Sequence, residues 1–442
     1  MATYVSRTPG STGNRRTFTF SCWVKKTDAD GNLETLFSAG NSNNDTDYFH
    51  FDNNNRFTAV FRNGGSTHTE VTAYGTRRDP SAWYHVVLRV DTTQSTASDR
   101  VRIYINGQEA AYEVATYPSQ NQQCEINDTK LTTVGGRSRA SVENFFQGYL
   151  SEVFFADGQS YAPTTFGSTN SDGVWVPIVS PSVTYGTNGF RLQFTGTGAS
   201  ADSSGFGADT SGNNNHLASS SLGTNPSTKD TPQNNFCTLN NRDNQSVNVT
   251  KGGCNFDSSG GADEGIRGTI GVLAGKWYYE CKITGSAGLS AGNIGFAQST
   301  FNLKNNPRGG QGMFVNGSSS LNLFNFSSSG TALDAGAGVV QNDIIGFALN
   351  LTDNQLTVYK NGTQVGSTQT IASGLISSGD FFIPVVTDDG GANDVIGSFN
   401  FGNPTFTIAS SNSDANGYGS FEYAVPSGYY ALCTKNLAQY GG

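Results

Sequence analysis

The chain has 442 residues, of which 55 are Gly and 12% are aromatic, and its formal net charge is −9. This length predicts more than one domain, and the sparse, mainly acidic charges argue against a nucleic-acid partner or a basic membrane-surface protein. The high aromatic content, together with only two Met, excludes a disordered chain and a helical bundle.

The first regular pattern is an alternation of apolar and polar residues over residues 18–25, which recurs over residues 83–91. A period of two predicts half-buried strands of antiparallel sheets. Residues 101–105 then lead into Asn106-Gly107, which favours a type I′ turn and predicts a hairpin. Residues 1–165 are therefore expected to form one β-sandwich domain.

The next stretch, residues 166–230, is dominated by Gly, Ser, Asn and Thr. We expect a linking segment with a few strands. Alternation returns in residues 231–442, most clearly at residues 345–349 and in the strand that leads into Asn361-Gly362. This part predicts a second sandwich.

A short internal sequence similarity relates the two halves of the chain. Residues 101–107 align without gaps on residues 356–362, with the buried positions, the Tyr and the Asn-Gly turn in common. Two sandwiches of similar architecture, with equivalent hairpins, are the simplest explanation. Convergence on a common hairpin is the alternative.

The six cysteines are scattered without a C-x-x-C pair, which predicts buried thiols rather than disulfides or a zinc site. No run reaches the roughly 18 apolar residues of a membrane span, so no membrane insertion is expected. The start of the chain lacks the pattern of a secretory signal.

Two stretches resemble known domain families. The first domain resembles a laminin-G/concanavalin-A-like jelly roll at residues 18–24, 83–87, 101–107 and 148–153. The second resembles a SPRY (B30.2-like) domain at residues 275–280, 294–297, 343–350 and 356–362. The resemblance implies an all-β chain of two concanavalin-A-like jelly-roll sandwiches in tandem.

Three further segments resemble virion proteins of tailed bacteriophages: residues 4–16, residues 209–216 with 231–240, and residues 426–434. This resemblance implies a non-enzymatic structural protein on the particle exterior, such as a fibre, adhesin or decoration component. It also implies assembly in the host cytoplasm, whose reducing conditions fit unpaired cysteines. The protein would be present in multiple copies beside other capsid or tail proteins, and it would bind host surface polysaccharide or another virion protein. A pure assembly or decoration protein without a host ligand is the alternative.

A polysaccharide depolymerase is the weaker alternative. Retaining glycosidases place two carboxylates about 5 Å apart, and no E-x-D-x-E run supplies them. Glu152 and Asp157 fall on opposite faces by strand alternation. His85 lies on the predicted wet face of its strand, where it is expected to be a surface or inter-sheet residue rather than a general base.

Carbohydrate recognition needs aromatic platforms and short polar side chains in loops at one edge. The candidate ligand-binding residues are Tyr48, His50, Asn54, Arg56, Tyr74 and Arg77 in the first domain, and Phe301, Asn305, Arg308, Phe314 and Phe324 in the second. Burial of these aromatics in the core is the structural alternative.

Calcium is the one cofactor for which the sequence offers candidate ligands. Asp45, Asp47 and Asp52 supply hard oxygen ligands in one region, and Asp388, Asp389 and Asp394 do likewise in the second domain. Turn formation by Asp and Asn is the competing explanation.

Overall fold

The computed structural model describes residues 3–27, 31–223, 226–259, 264–290, 292–304, 311–327, 329–334, 336, 338–388 and 394–441. The chain forms two compact units, residues 1–227 and 228–442. It is 44% strand and 4% helical, which confirms the all-β prediction. No helix in the described part of the chain has the length and apolar character that a bilayer crossing requires.

The strands of the first unit are β1 (Tyr4–Arg7), β2 (Thr17–Lys26), β3 (Glu34–Gly40), β4 (Thr46–Phe51), β5 (Phe57–Asn63), β6 (Ser66–Ala73), β7 (Trp83–Asp91), β8 (Val101–Ile105), β9 (Gln108–Glu109), β10 (Tyr112–Thr116), β11 (Leu131–Val134), β12 (Arg137–Ser138), β13 (Val142–Glu143), β14 (Gly148–Asp157), β15 (Gly167–Thr169), β16 (Trp175–Pro177), β17 (Phe190–Leu192) and β18 (Ala218–Ser220). Short 3₁₀ turns lie at Ala97–Asp99 and Pro163–Thr165. A front sheet runs β10-β6-β5-β4-β3-β11-β1-β18, and a back sheet runs β17-β14-β2-β7-β8-β9.

The second unit contains β19 (Leu239–Gln245), β20 (Asn248–Thr250), β21 (Asn255–Asp257), β22 (Gly265–Gly268), β23 (Lys276–Ile283), β24 (Gly292–Gln298), β25 (Gly312–Asn316), β26 (Leu321–Asn325), β27 (Thr331–Asp334), β28 (Ile344–Asn350), β29 (Gln355–Lys360), β30 (Thr363–Gln364), β31 (Gln369–Thr370), α1 (Ser373–Ser377), β32 (Phe382–Asp388), β33 (Ile396–Asn400), β34 (Tyr430–Ala431) and α2 (Thr434–Tyr440). Its front sheet runs β19-β22-β32-β24-β25-β26-β27, and its back sheet runs β20-β21-β33-β23-β28-β29-β30.

The two units share one strand topology. In each, a strand of the front sheet leads into a central strand of the back sheet (β2 or β23). Four consecutive strands of the front sheet follow. The chain then returns to the back sheet and forms a hairpin beside the central strand. In each, a later strand (β11 or β32) joins the front sheet beside the first of the four consecutive strands, and a further strand (β14 or β33) joins the back sheet beside the central strand. The predicted common architecture is therefore confirmed.

The two Asn-Gly turns occupy equivalent hairpins, β8–β9 and β29–β30. Their φ values are +47° and +83° at Asn106 and Gly107, and +49° and +78° at Asn361 and Gly362, as a type I′ turn requires. In both hairpins the Asn side-chain oxygen accepts a hydrogen bond from the strand before, at 2.8 Å from the backbone N of His85 and 2.9 Å from that of Ile344.

A covering segment packs on the outer face of the first back sheet. This first strap, residues 159–185, places Phe166 and Tyr161 against Val87, Tyr104 and Phe154. The strap explains why β2 is buried on both faces rather than on one. Period-two alternation describes only the sheet and cannot report a later segment that covers it.

The second back sheet has an equivalent cover. Its second strap, residues 411–431, packs Phe421 against Tyr278 with ring centroids 5.3 Å apart. The buried Glu280 carboxylate holds this strap, because it accepts hydrogen bonds from the backbone N–H groups of Glu422 and Tyr423, both at 2.9 Å. Desolvation by burial raises the pKa of Glu280.

The segment predicted to link the domains, residues 166–230, mostly belongs to the first unit. β17 pairs with β14, and β18 pairs with β1. Its few apolar residues, among them Phe190 and Leu217, are buried in the first core. The first compact unit therefore ends at Ser227 rather than near residue 165.

The cysteines agree with the sequence prediction. All six are buried.

We expect a fragment of residues 1–227 to unfold in one cooperative transition and a fragment of residues 1–165 to lose that transition. The shorter fragment ends inside the first strap and lacks Phe166 and Trp175, so Tyr104, Phe154 and His85 lose most of their cover and expose apolar surface to water. Calorimetry and near-ultraviolet circular dichroism compare the two fragments. Equal melting temperatures would show that the strap is dispensable.

Candidate functional site

Several loops of the first unit meet at one edge of the sandwich, which we call the rim. It contains residues 31–33 before β3, the β4–β5 turn, the loop after β6 and the β13–β14 connection. Backbone hydrogen bonds join these segments, for example Thr35 N to Asn144 O at 2.9 Å and Arg77 N to Asn55 O at 2.8 Å. The antiparallel order of the front sheet brings these strand ends to the same edge.

A groove of about 440 Å³ lies in the rim. It is lined by Thr3, Asn32, Leu33, Glu34, Asn144, Phe145, Phe146 and Gln147. Phe145 and Phe146 are half-buried. The ring of Phe145 stacks on Tyr4 with centroids 5.8 Å apart, and that of Phe146 stacks on Phe51 at 6.2 Å.

The polar groups of the groove are mainly uncharged. Asn32, Asn144 and Gln147 supply amides, which both donate and accept hydrogen bonds. The Glu34 carboxylate is 1% exposed and pairs with the Lys26 ammonium at 2.7 Å. Its second oxygen accepts a hydrogen bond from Gln147 N at 3.3 Å. The groove thus offers aromatic rings and neutral hydrogen-bonding groups, with its charge compensated internally.

Four of the sequence candidates lie on the rim: Asn54, Arg56, Tyr74 and Arg77. Tyr74 is 67% exposed. Arg56 pairs with Asp52 at 2.6 Å and with Glu113 at 2.5 Å. Arg77 lies over the Phe57 ring at 5.9 Å and donates to Tyr74 O at 2.8 Å, which fixes the loop that carries Tyr74.

Tyr48 and His50 lie on β4 rather than in a loop, and they are only 8% and 4% exposed. The β12–β13 hairpin is anchored over this face of the front sheet, and its Arg137 guanidinium lies 4.7 Å from the centre of the Tyr48 ring. Burial lowers the pKa of His50 to about 3, with a further lowering by Arg137. Neither residue is placed to contact a ligand at the surface.

The three acidic residues considered for calcium do not converge. Asp45 and Asp52 flank opposite ends of β4, about 23 Å apart at roughly 3.3 Å per residue. The Asp45 carboxylate accepts from Gly64 N at 2.8 Å, and that of Asp52 accepts from Asn54 N at 2.9 Å. Asp47 is fully buried and accepts from Arg62 N at 3.1 Å.

In the second unit, Asp388 accepts from Ser258 Oγ at 2.6 Å, whereas Asp389 lies outside the described residues. Within the residues that the structure describes, no group of three or more His, Cys, Asp or Glu side chains could hold a metal ion.

The second-unit aromatics that were candidates are buried. Phe301, Phe314 and Phe324 are 4%, 0% and 8% exposed. Phe301 packs on Phe314 with ring centroids 5.4 Å apart, in a small cluster with Ala297, Leu303 and Val385. The predicted platform is therefore a subsidiary core. Asn305 and Arg308 lie outside the described residues.

His85 is buried rather than on a wet face, because the first strap covers it. Its ring stacks between Trp23 and Trp175, with centroids 5.0 and 6.0 Å away. Trp175 Nε1 donates to His85 Nδ1 at 3.0 Å, so the ring proton of the neutral imidazole sits on Nε2 and is donated to Ser21 Oγ at 2.9 Å. In this tautomer Nε2 cannot accept a proton from Ser21.

The two carboxylates that were considered as glycosidase residues already form ion pairs or hydrogen bonds within the protein. Glu152 pairs with Arg191 at 2.7 Å. Asp157 accepts hydrogen bonds from the backbone N–H groups of Asn14, Thr187 and Asn188 at 2.8 to 3.1 Å. Both therefore hold chain segments together.

Sequence reasoning missed the groove residues Phe145 and Phe146. The available signal was a pair of adjacent aromatics flanked by Asn144 and Gln147 in a stretch without strand alternation.

Residues 2–159 match the family model described as the concanavalin A-like lectin/glucanases superfamily, in its laminin-G form. The first unit thus has a laminin-G/concanavalin-A-like fold. Among curated proteins, no sequence relative of this chain is found.

Solved structures of similar fold include the SPRY domain of human HERC1, at 15% identity and a TM-score of 0.31, covering 36% of this chain and 96% of that one. The CBM40 domain of the Ruminococcus gnavus IT-sialidase, bound to α2,3-sialyllactose, has 15% identity and a TM-score of 0.27 and covers 36% and 94%. Domains LG4-5 of the mouse laminin α1 chain have 8% identity and a TM-score of 0.30 and cover 90% and 84%.

We expect His50 and His85 to remain neutral to well below pH 5, because burial lowers both pKa values to about 3. Nitrogen NMR of the imidazoles should show the Nε2–H tautomer for His85 and no titration of either ring near pH 6.5. A titration midpoint near 6.5 for His85 would contradict burial under the strap.

The lowered pKa values of His50 and His85 also determine how the stability of the fold changes with pH. Unfolded His binds a proton near pH 6.5, so the stability that these two residues contribute is complete above that pH and is lost as the pH falls towards 3. Asp47, whose pKa burial raises to about 8, acts in the opposite direction. A melting curve reports the sum of these opposing contributions to stability. Titration of the imidazole rings by NMR reports the histidines alone.

Proposed function

We propose that the first unit binds an uncharged carbohydrate in the rim groove and does not cleave it. The observation that carries the proposal is the combination, in one groove, of half-buried Phe145 and Phe146 with the neutral amides of Asn32, Asn144 and Gln147. The apolar faces of sugar rings pack on aromatic side chains, and sugar hydroxyls match groups that both donate and accept hydrogen bonds.

The charge of the groove supports a neutral ligand. Glu34 is its one carboxylate among the described lining residues, and the pairing with Lys26 cancels that charge. An acidic sugar would meet no unpaired cation in the described lining, and a cationic ligand would have to displace the ammonium of Lys26.

The same pairing supports binding without hydrolysis. Glycosidases require two carboxyl groups across the scissile bond, about 5 to 9.5 Å apart. Glu34 is almost fully buried and already bonded on both oxygens. No second carboxylate lies among the described lining residues.

The setting that we propose is the exterior of a tailed-bacteriophage particle, with host surface polysaccharide as the ligand and other capsid or tail proteins as neighbours. The support is the resemblance of residues 4–16, 209–216 with 231–240, and 426–434 to virion proteins. Multiple copies per particle would add avidity to a weak single site.

Replacement of Phe145 by Ala should weaken binding of neutral polysaccharide by about 5- to 150-fold, the range for loss of a buried aromatic anchor. Glycan-array binding followed by calorimetry measures the loss, and an assay for new reducing ends should stay negative. Phe381→Ala is the matched control, because Phe381 is 46% exposed and lies in the second unit. Equal affinity of the Phe145→Ala variant and the parent protein would remove the groove as the site.

A reconstruction of the particle tests the setting separately. The proposal predicts that the rim faces outward, away from neighbouring subunits. A rim packed against capsid or tail proteins would instead support an assembly protein without a host ligand.

A further inference from the structure

The rim continues beyond the groove towards Tyr74. Gly31, next to the groove, approaches the β4–β5 turn so closely that a Cβ there would lie 2.6 Å from Asn53 O, and its φ of +66° is in the left-handed region. Arg77 N then bonds to Asn55 O at 2.8 Å. The groove, the β4–β5 turn and the Tyr74 loop therefore form one continuous edge.

A row of packed rings underlies this edge. Phe146 in the groove stacks on Phe51 at 6.2 Å, Phe51 packs on Phe57 at 4.4 Å, and the Arg77 guanidinium lies 5.9 Å from the centre of the Phe57 ring. Phe51 and Phe57 are fully buried. The two ends of the rim are thus held at a fixed separation by core packing.

The far end of the rim repeats the chemistry of the groove. Tyr74 presents a ring that is 67% exposed, and Asn54 presents an exposed amide. Arg77 holds the Tyr74 loop by donating to Tyr74 O at 2.8 Å, so little ordering is needed on binding.

The separation of the two positions sets the size of the ligand. Phe145 lies beside Thr35 of β3 and stacks on Tyr4 of β1, and Tyr74 follows β6, three strands from β3 and five from β1 in the sheet order. At about 4.8 Å between neighbouring strands, the two positions are about 14 to 24 Å apart. That distance is far wider than one sugar ring.

Resting on the proposed function, we propose that the ligand is a chain of several uncharged sugar units that lies along the rim from Phe145 to Tyr74. The groove binds one part of the chain, and Tyr74 with Asn54 binds a part several units away. A polysaccharide interior, rather than a terminal sugar alone, is the form that contacts both positions.

The test uses the full-length protein and neutral glucan, mannan and galactan oligosaccharides of one to eight units. Affinity for the series that binds should rise with length until both positions are filled. Tyr74→Ala should lower the affinity for the longest members about 5-fold or more, as for an aromatic anchor, and leave the shortest members unchanged. Tyr74→Phe should retain the parent affinity, because it keeps the ring.

Three outcomes distinguish the proposals. Loss with Tyr74→Ala that is confined to long oligosaccharides supports the extended site. A loss with Phe145→Ala at every length, but none with Tyr74→Ala at any length, overturns the extended site and leaves the groove intact. Failure of every series to bind overturns the groove and the extended site together. Because Tyr74 is exposed, equal melting temperatures of its variants and the parent protein should exclude misfolding.

Discussion

The aromatic packing between the two sheets of each unit is the interaction on which the rest of the structure depends. In the first unit, Phe20 stacks on Phe37 at 4.5 Å. From Phe20 the ring contacts continue through Phe49, Phe57 and Phe51 to Phe146 in the groove. In the second, Tyr279 stacks on Phe347 at 4.8 Å. Because protein interiors are close-packed, this core fixes the positions of the strand ends, and the strand ends carry the rim loops. The groove therefore has a rigid floor although loops form its walls.

The sequence pattern predicted the sandwiches and their hairpins because these depend on local signals. Alternation at residues 18–25 and the Asn-Gly pairs report strand faces and turn conformation directly. The straps were not predicted because their apolar residues are sparse and follow no regular spacing. The side chains that they bury lie on strand faces that the alternation pattern assigns to solvent. Thr19 and His85 occupy apparent wet positions, yet Thr19 Oγ accepts from Tyr161 N at 2.9 Å and His85 lies beneath Trp175.

Part of the candidate site was predicted because it, too, depends on local signals. Asn54 and Tyr74 flank strands, so their position at an edge follows from chain order. Tyr48 and Phe314 were wrong as surface platforms, because a hairpin in one unit and a loop segment in the other cover the outer faces on which they lie. The joining of Phe145 to loops more than 100 residues away arises only from tertiary packing, which a single sequence does not display.

The proposed binding mode places a neutral sugar against Phe145 and Phe146. A crystal structure of the protein with a bound neutral oligosaccharide tests it most directly. We expect sugar density in the groove, with a ring face on Phe145 and hydroxyls within hydrogen-bond distance of the Asn32, Asn144 or Gln147 amides. Density only at the second unit, or a groove filled by protein side chains in the complex, would contradict it.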